Sequence, residues 1–218
     1  MWRGPRTLIW LLPPPFDAPP LRAYLMEKPL RIRRNPMALL PILTLPDPRL
    51  REISKAVEKV DGEIHRLLDD MLETMYDAPG VGLAAIQVGH AKRIVVIDIA
   101  KDDQPKAPLF LINPEITWVS EELGVYREGC LSVPECFEEV QRPARVRFRH
   151  LDRDGVLREA EADGLLATVV QHELDHLEGG LFIDHLSRLK RERVVKKFTK
   201  AARLEARSSE RETEDVDA

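Results

Sequence analysis

Cysteine is scarce in this chain of 218 residues, where only Cys130 and Cys136 occur. Two cysteines exclude the dense disulfide framework of small secreted proteins, so we expect a reducing compartment and, by default, the cytoplasm. Long apolar segments are missing as well, since no apolar run reaches the roughly 18 residues that a membrane-spanning helix needs. The sequence therefore predicts no membrane partner.

Neither sign of charge dominates, because 33 Lys and Arg stand against 37 Asp and Glu, which leaves a net charge of -4. This balance gives no global signal for nucleic acid binding. The apolar share of 44% and the charged share of 32% are typical of globular proteins. The length favours one domain with terminal extensions.

The first 36 residues differ from the rest, with seven basic residues, two acidic ones and many prolines. Three interpretations stay open. The segment is a dispensable extension, a start assigned too early relative to Met37, or an organelle transit peptide, which we rank last because its prolines oppose an amphipathic helix. If the segment is a transit peptide, the protein is located in an organelle. We expect residues 1–36 to be poorly ordered.

Periodicity predicts an α+β domain whose folded part begins near Ile42. Apolar residues spaced at i, i+3, i+4 and i+7 predict a helix from Gly62 to Ala78, ended by Pro79 and Gly80. Segments rich in Val and Ile, or alternating in polarity, predict strands at 93–99, 109–112, 116–119, 144–151 and 156–162, the last two as a hairpin. We expect a compact single domain with antiparallel strands around a central helix.

Two helices are expected in the last third of the chain. One starts with Asp163 as its cap and ends near Gly179 and Gly180. The other runs from Ser187 to about Ala206, and the acidic tail 207–218 is expected to be disordered.

The segment Gln171-His172-Glu173-Leu174-Asp175-His176 is an H-E-x-x-H box. On a helix, His172 and His176 lie one turn apart on one face, where two imidazoles can bind one transition metal. Glu173 beside them can transfer a proton. The box alone is equally compatible with an ordinary charged helix face.

Two further segments raise the odds of a metal site. In Glu128–Ser132, Cys130 would add a thiolate to two imidazoles and leave one open position, a set that by ligand type favours zinc. A buried structural cysteine is the alternative. In Gly80–Gln87, the glycines match no nucleotide-binding motif and are also explained by a tight turn, but Gln87 could donate its amide to an oxyanion.

Together and in this order, the three segments resemble the signature motifs of the peptide deformylase family, in particular its bacterial members. The similarity extends over about residues 37–206, the predicted catalytic domain. The resemblance implies a compact α+β fold around the box helix. It also implies an enzyme that removes the formyl group from the N-formylmethionine of new polypeptides.

The resemblance implies specific roles. Cys130, His172 and His176 would bind the metal, Glu173 would be the general acid and base, and Gln87 with the backbone N–H of Leu131 would form the oxyanion hole. Residues expected at the substrate are Val81, Gly82, Glu128 and Val169, together with Leu165, which shares a helix face with His172.

The family also implies iron(II), with zinc, nickel or cobalt as substitutes, and N-formylmethionyl nascent peptides as partners. The basic C-terminal helix would dock on the ribosome, although a solvated helix face explains its charges equally well. We expect a monomer.

A zinc-dependent metalloprotease is the main alternative, because His172 to Gly179 also fits H-E-x-x-H-x-x-G. One protease class would need a histidine where Phe182 stands, and another could use Glu192. Both leave Cys130 and Gln87 without a role. A binding module that has lost catalysis is disfavoured, because no motif residue is missing.

Overall fold

A five-stranded antiparallel sheet is the centre of the chain, which a computed structural model describes for residues 38–101 and 103–216. The strands along the chain are β1 Gly82–Ala84, β2 Ile94–Ile97, β3 Leu109–Val119, β4 Leu123–Cys130, β5 Val133–Pro143, β6 Arg145–Leu151 and β7 Leu157–Asp163. The main sheet has the order β1-β2-β3-β6-β7, while β4 and β5 form a separate antiparallel pair. The expectation for residues 1–36 lies outside the described residues.

Helices cover both faces of the main sheet. They are α1 Gly62–Asp77 and α2 Gly164–Leu177. The C-terminal helix α3, Arg188–Val216, packs instead against the turn Phe182–His185. In β2, Val95 and Ile97 pack into the core on the α2 side, while Ile94 and Val96 pack toward α1. A strand buried on both faces needs apolar residues at every position, which explains its unbroken Ile-Val-Val-Ile sequence.

The helix α1 confirms the predicted segment. The Asp61 carboxylate accepts hydrogen bonds from the backbone N–H groups of Glu63 and Ile64, at 2.9 and 3.2 Å, and so caps two groups that the helix leaves unpaired. The predicted hairpin of β6 and β7 is also present. In β6, Val146, Phe148 and His150 are buried while the intervening arginines are exposed.

The two strands predicted at 109–112 and 116–119 are one strand, β3, with a register shift between Ile112 and Glu115. Asn113 lies at this irregularity with a φ of 51°, a left-handed conformation that asparagine tolerates. Its side chain exchanges two hydrogen bonds with the backbone of Val57, at 2.7 and 2.8 Å. The irregularity therefore bends one strand and does not end it.

The ends of the last two helices differ from expectation. Asp163 occupies the position before α2, as predicted, but its side chain makes no capping hydrogen bond. The helix α3 continues to Val216, ten residues beyond the predicted end at Ala206, so Ala206 is no boundary of secondary structure. The tail contains neither proline nor glycine and is rich in glutamate and arginine, which favour helices.

The architecture confirms the predicted α+β class, with antiparallel strands around α2 and a helix at the C-terminus. A third apolar cluster joins the β4–β5 hairpin to the turn Phe182–His185 and to Val194 of α3. Across the described ranges, no helix is long and apolar enough to cross a membrane.

Candidate active site

The helix α2 carries three polar side chains into the interior. His172 is 7% exposed, Glu173 4% and His176 fully buried. Val170, Leu174 and Leu177 of the same helix pack against the sheet, which turns the histidines toward the β4–β5 hairpin. The two imidazole rings lie 5.1 Å apart between centroids. As predicted, the box occupies one helix and its histidines face the same way.

The last residue of β4 completes a set of three possible ligands. Cys130 Sγ lies 3.2 Å from His176 Nε2, and the ligand atoms of Cys130, His172 and His176 all lie within 4.8 Å of one another. One thiolate and two imidazoles suit a transition metal and leave a fourth tetrahedral position open. Burial opposes ionisation of the Cys130 thiol, but the two histidines hold its pKa well below the usual value.

The protonation of His172 also fits a metal ligand. Its Nδ1 lies 2.8 Å from Glu128 Oε2, and both groups are buried. Because a carboxylate only accepts hydrogen bonds, Nδ1 carries a proton, and Nε2 is the ring atom left to bind a metal. Burial opposes the charged ring, but Cys130 and Glu128 raise the pKa of His172 well above its usual value, so a metal at Nε2 would replace a proton. The residues that are present therefore fit a metal site.

Glu128 makes contacts that the sequence did not predict. Its carboxylate forms a buried ion pair with Arg142, whose Nε donates to Oε1 at 2.6 Å and whose Nη2 donates to Oε2 at 3.0 Å. Burial opposes this charge, but His172 and Arg142 keep the pKa of Glu128 below its usual value. Glu128 also lines the cavity, so it orients His172. Its expected contact with substrate stays a prediction.

Gln87 lies in a single 3-10 turn, Ala85–Val88, directly after β1. Its Oε1 accepts from the backbone N–H of Ala84 at 2.8 Å, which fixes the orientation of the amide. Its Nε2 donates to Ser132 Oγ at 3.1 Å and lies 3.5 Å from Cys130 Sγ. The amide donor therefore faces the cluster, as the predicted oxyanion role requires.

Glu173 lies against the backbone of β1. A Cβ added to Gly82 would lie 2.9 Å from Glu173 Cδ and closer still to Oε1, so only glycine leaves room for this carboxylate. Within the described part of the chain, Glu173 Oε2 is buried and has no hydrogen-bond partner. Burial raises the pKa of Glu173 to about 7. A carboxyl group of this kind exchanges protons readily near neutral pH.

A cavity of about 440 Å³ opens beside this cluster. Its wall includes the predicted Val81, Gly82, Glu128, Leu131, Leu165 and Val169. Val81 and Leu165 are 44% and 45% exposed at the rim, while Val169 is buried. Tyr126, which we expected at the rim of the pocket without a specific role, also lines the cavity. Pro134, Phe137 and Thr168 line it as well, and no pattern in the sequence indicated them.

The chain matches known proteins over most of its length. The family model described as polypeptide deformylase matches residues 39–192. A peptide deformylase of Methylocella silvestris is 61% identical over 178 residues, which cover 80% of this chain and 91% of the relative. One of Agrobacterium fabrum is 59% identical over 167 residues, covering 77% and 98%.

Solved structures agree with these relatives. A crystal structure of peptide deformylase from Ehrlichia chaffeensis has a TM-score of 0.72 and 42% identity, and the match covers 78% of this chain and 99% of that one. A second structure from the same organism, in complex with actinonin, has a TM-score of 0.72 and 43% identity, with coverage of 76% and 98%.

The buried H-E-x-x-H helix, the neighbouring cysteine and the adjoining apolar cavity define a metal-dependent hydrolase. Within that class, the matched model and the similar relatives are specific. The chain belongs to the peptide deformylase family. This confirms the resemblance that the three motifs indicated.

Proposed function

We propose that this enzyme hydrolyses the N-formyl amide of N-formylmethionine at the start of nascent polypeptides and releases formate. The observation that carries the proposal is the grouping of Cys130, His172 and His176, with Glu173 beside them, next to an apolar cavity. The relatives favour this activity over the metalloprotease alternative, which leaves Cys130 without a function.

The metal in this proposal is iron(II), with zinc, nickel or cobalt as substitutes, held by Cys130, His172 and His176. Bound there, a divalent ion would act as a Lewis acid and make water a nucleophile near neutral pH. Glu128 supports this site from outside by fixing the ring of His172.

Glu173 transfers the proton in this proposal. Its carboxylate accepts a proton from the attacking water and donates it to the amine nitrogen as the C–N bond of the formamide breaks. The pKa of about 7 suits both steps, because the group exists in both protonation states near neutrality. The burial of Glu173 supports this assignment, because burial is the cause of the raised pKa.

The oxyanion of the tetrahedral intermediate would be stabilised by two donors of the chain. These are Nε2 of Gln87, whose orientation Ala84 fixes, and the backbone N–H of Leu131, next to Cys130. Donors held in place before the reaction stabilise developing charge without reorganisation.

The cavity is the proposed site of the methionine side chain. Val81, Leu165 and Val169 supply an apolar wall beside Glu173 and His172. The close approach of Gly82 to Glu173 would bring the backbone of the substrate along β1 near the reacting carboxylate.

The experiment measures formate released from N-formyl-Met-Ala-Ser. Iron-loaded protein, purified without oxygen, is compared with Glu173→Ala loaded in the same way. We expect turnover in the first and a loss of several orders of magnitude in the second, since removing a general base costs about 10²–10⁴-fold or more. Equal turnover in the two would contradict the role of Glu173, and none in either would contradict the function.

We further propose that this monomer acts in the cytoplasm and docks on the ribosome through the basic face of α3. Lys196, Lys200 and Arg203 are exposed there, which suits binding to ribosomal RNA. Changing all three to Glu should abolish salt-sensitive co-sedimentation with ribosomes. The matched control changes Lys55, Lys59 and Lys101 to Glu, and equal binding by both variants would contradict docking through α3.

A further inference from the structure

The contacts that orient His172 continue beyond Glu128 and Arg142. Nη1 of Arg142 donates to Oδ2 of Asp175 at 2.8 Å, and Nε2 of His185 lies 2.7 Å from the same oxygen. Five side chains thus form an unbroken series, His185–Asp175–Arg142–Glu128–His172, which starts at the surface and ends in the interior. They belong to four separate elements. His172 and Asp175 lie in α2, Glu128 lies in β4, Arg142 lies in β5, and His185 lies in the turn Phe182–His185 that follows α2.

The geometry fixes the proton of His185. Because the Asp175 carboxylate only accepts, His185 donates through an Nε2–H group. Its distance of 3.4 Å to Nη1 of Arg142 is then the spacing of two donors around one shared oxygen, not a hydrogen bond between them. His185 and Arg142 therefore hold Asp175 Oδ2 from two sides.

Burial makes the position of Arg142 sensitive to these contacts. The side chain of Arg142 is 5% exposed and lies between two carboxylates, Glu128 at 4% and Asp175 at 28%. A buried guanidinium that loses one of two partners must shift to recover a hydrogen bond. Any shift moves Glu128, because Glu128 accepts two of the hydrogen bonds of Arg142.

The outer end of the series is accessible. His185 is 39% exposed and, with Arg142 and Asp175, lines a second cavity of about 410 Å³ on another side of α2. A substitution at His185 therefore enters a roomy site. It does not reach the metal-site cavity, whose wall contains neither His185 nor Asp175.

We propose that His185 and Asp175 are positioning residues for the metal site, acting on His172 through Arg142 and Glu128. This inference rests on the proposed function, since it takes His172 as a metal ligand. Groups outside the ligand shell that orient a ligating histidine typically change metal affinity by about 10–100-fold when lost. His185 lies further out than Glu128, so we expect the lower end of that range.

The test measures zinc affinity by competition with a chelator and records the absorption spectrum of the cobalt(II)-substituted protein. His185→Phe should weaken zinc binding by about tenfold and change the cobalt spectrum. His185→Gln keeps an N–H donor and should restore affinity to about that of the wild type. Asp175→Asn, which removes the charge that faces Arg142, should weaken binding more than His185→Phe.

The matched control is His65→Phe. His65 lies on α1, away from the site, and its Nε2 makes one 2.9 Å hydrogen bond to the carbonyl oxygen of Arg153 in the turn between β6 and β7. Its loss should leave zinc affinity and the spectrum unchanged. Unchanged affinity in both His185→Phe and Asp175→Asn would overturn the proposal. An equal loss in His65→Phe would also overturn it, because general destabilisation would then be the cause.

Zinc affinity and the cobalt(II) spectrum are measured without substrate. The proposed function and the positioning role of His185 and Asp175 can therefore be contradicted independently. Normal zinc binding without formate release would contradict the proposed function and leave the affinity comparison valid. Formate release with unchanged affinity in the variants would contradict only the positioning role.

Discussion

Gly82→Ala tests whether the close approach of β1 to Glu173 is part of catalysis. The added Cβ would lie 2.9 Å from Glu173 Cδ, whereas carbon atoms in good contact lie about 3.5–4.0 Å apart. The carboxylate would therefore have to move by roughly 1 Å. Since a misplacement of that size costs about 10²-fold in rate, we expect kcat to fall by about two orders of magnitude.

The assay is steady-state formate release, with zinc affinity and thermal unfolding measured on the same samples. Gly124→Ala is the matched control. Gly124 also lies in a strand, but its added Cβ would have ordinary contacts of 3.7 Å or more, so kcat should stay near that of the wild type. An unchanged kcat in Gly82→Ala would show that the close approach of β1 to Glu173 is not needed for catalysis. A fall in kcat that is explained entirely by unfolding of the variant would also contradict the prediction.

Three further predictions concern single side chains. Gln87→Ala should lower kcat by about 10²–10³-fold without loss of bound metal, and unchanged turnover would remove Gln87 from the mechanism. Leu165→Ala should raise KM about threefold to tenfold for N-formylmethionyl peptides and less for N-formylalanyl ones, and an equal rise would argue against a methionine pocket. Burial lowers the pKa of His150 to about 4 from 6.5, so protonation favours unfolding, and stability present above pH 6.5 is lost as the pH falls toward 4. Between pH 6.5 and 4, denaturant unfolding of the metal-free protein should show a loss of stability that is about 2–3 kcal/mol larger in the wild type than in His150→Phe, and parallel losses would refute it.

Elements with a regular polarity pattern were predictable. The helix α1 has apolar residues on one face and a capping Asp61, and β6 alternates strictly between buried apolar residues and exposed arginines. In both cases the element meets the core on one side and solvent on the other. The pattern of the sequence then reports directly which side is buried.

The β4–β5 hairpin was not predicted, although it carries Cys130. Its inward side includes Glu128 and Arg142, both 5% exposed, while Val125 and Phe137 are each 57% exposed. At these four positions the usual relation between polarity and burial is reversed, although Val133 and Val140 of β5 are buried in the ordinary way. A search for apolar alternation does not detect a strand whose buried side chains form an ion pair.

The identities of the site residues came from the three motifs, but the role of Glu128 depended on the fold. Its partner Arg142 follows fourteen residues later, and only the antiparallel pairing of β4 with β5 brings the two together. In the sequence, Glu128 lies close to the predicted metal ligand Cys130, and we predicted that it binds substrate. The structure adds a hydrogen bond to His172, so Glu128 also has an indirect effect on the site.

The residues that pattern-based reasoning explains least are concentrated at the site. Gln87, Glu128, Arg142, His172 and Glu173 are all buried, and burial of such groups costs free energy that apolar residues would not. Within the described residues, Glu173 Oε2 has no hydrogen-bond partner, so the charges of His172 and His176 compensate only partly for its burial. This arrangement is understandable if Glu173 Oε2 meets its partner during the reaction, because proteins depart from local folding rules mainly where function requires it.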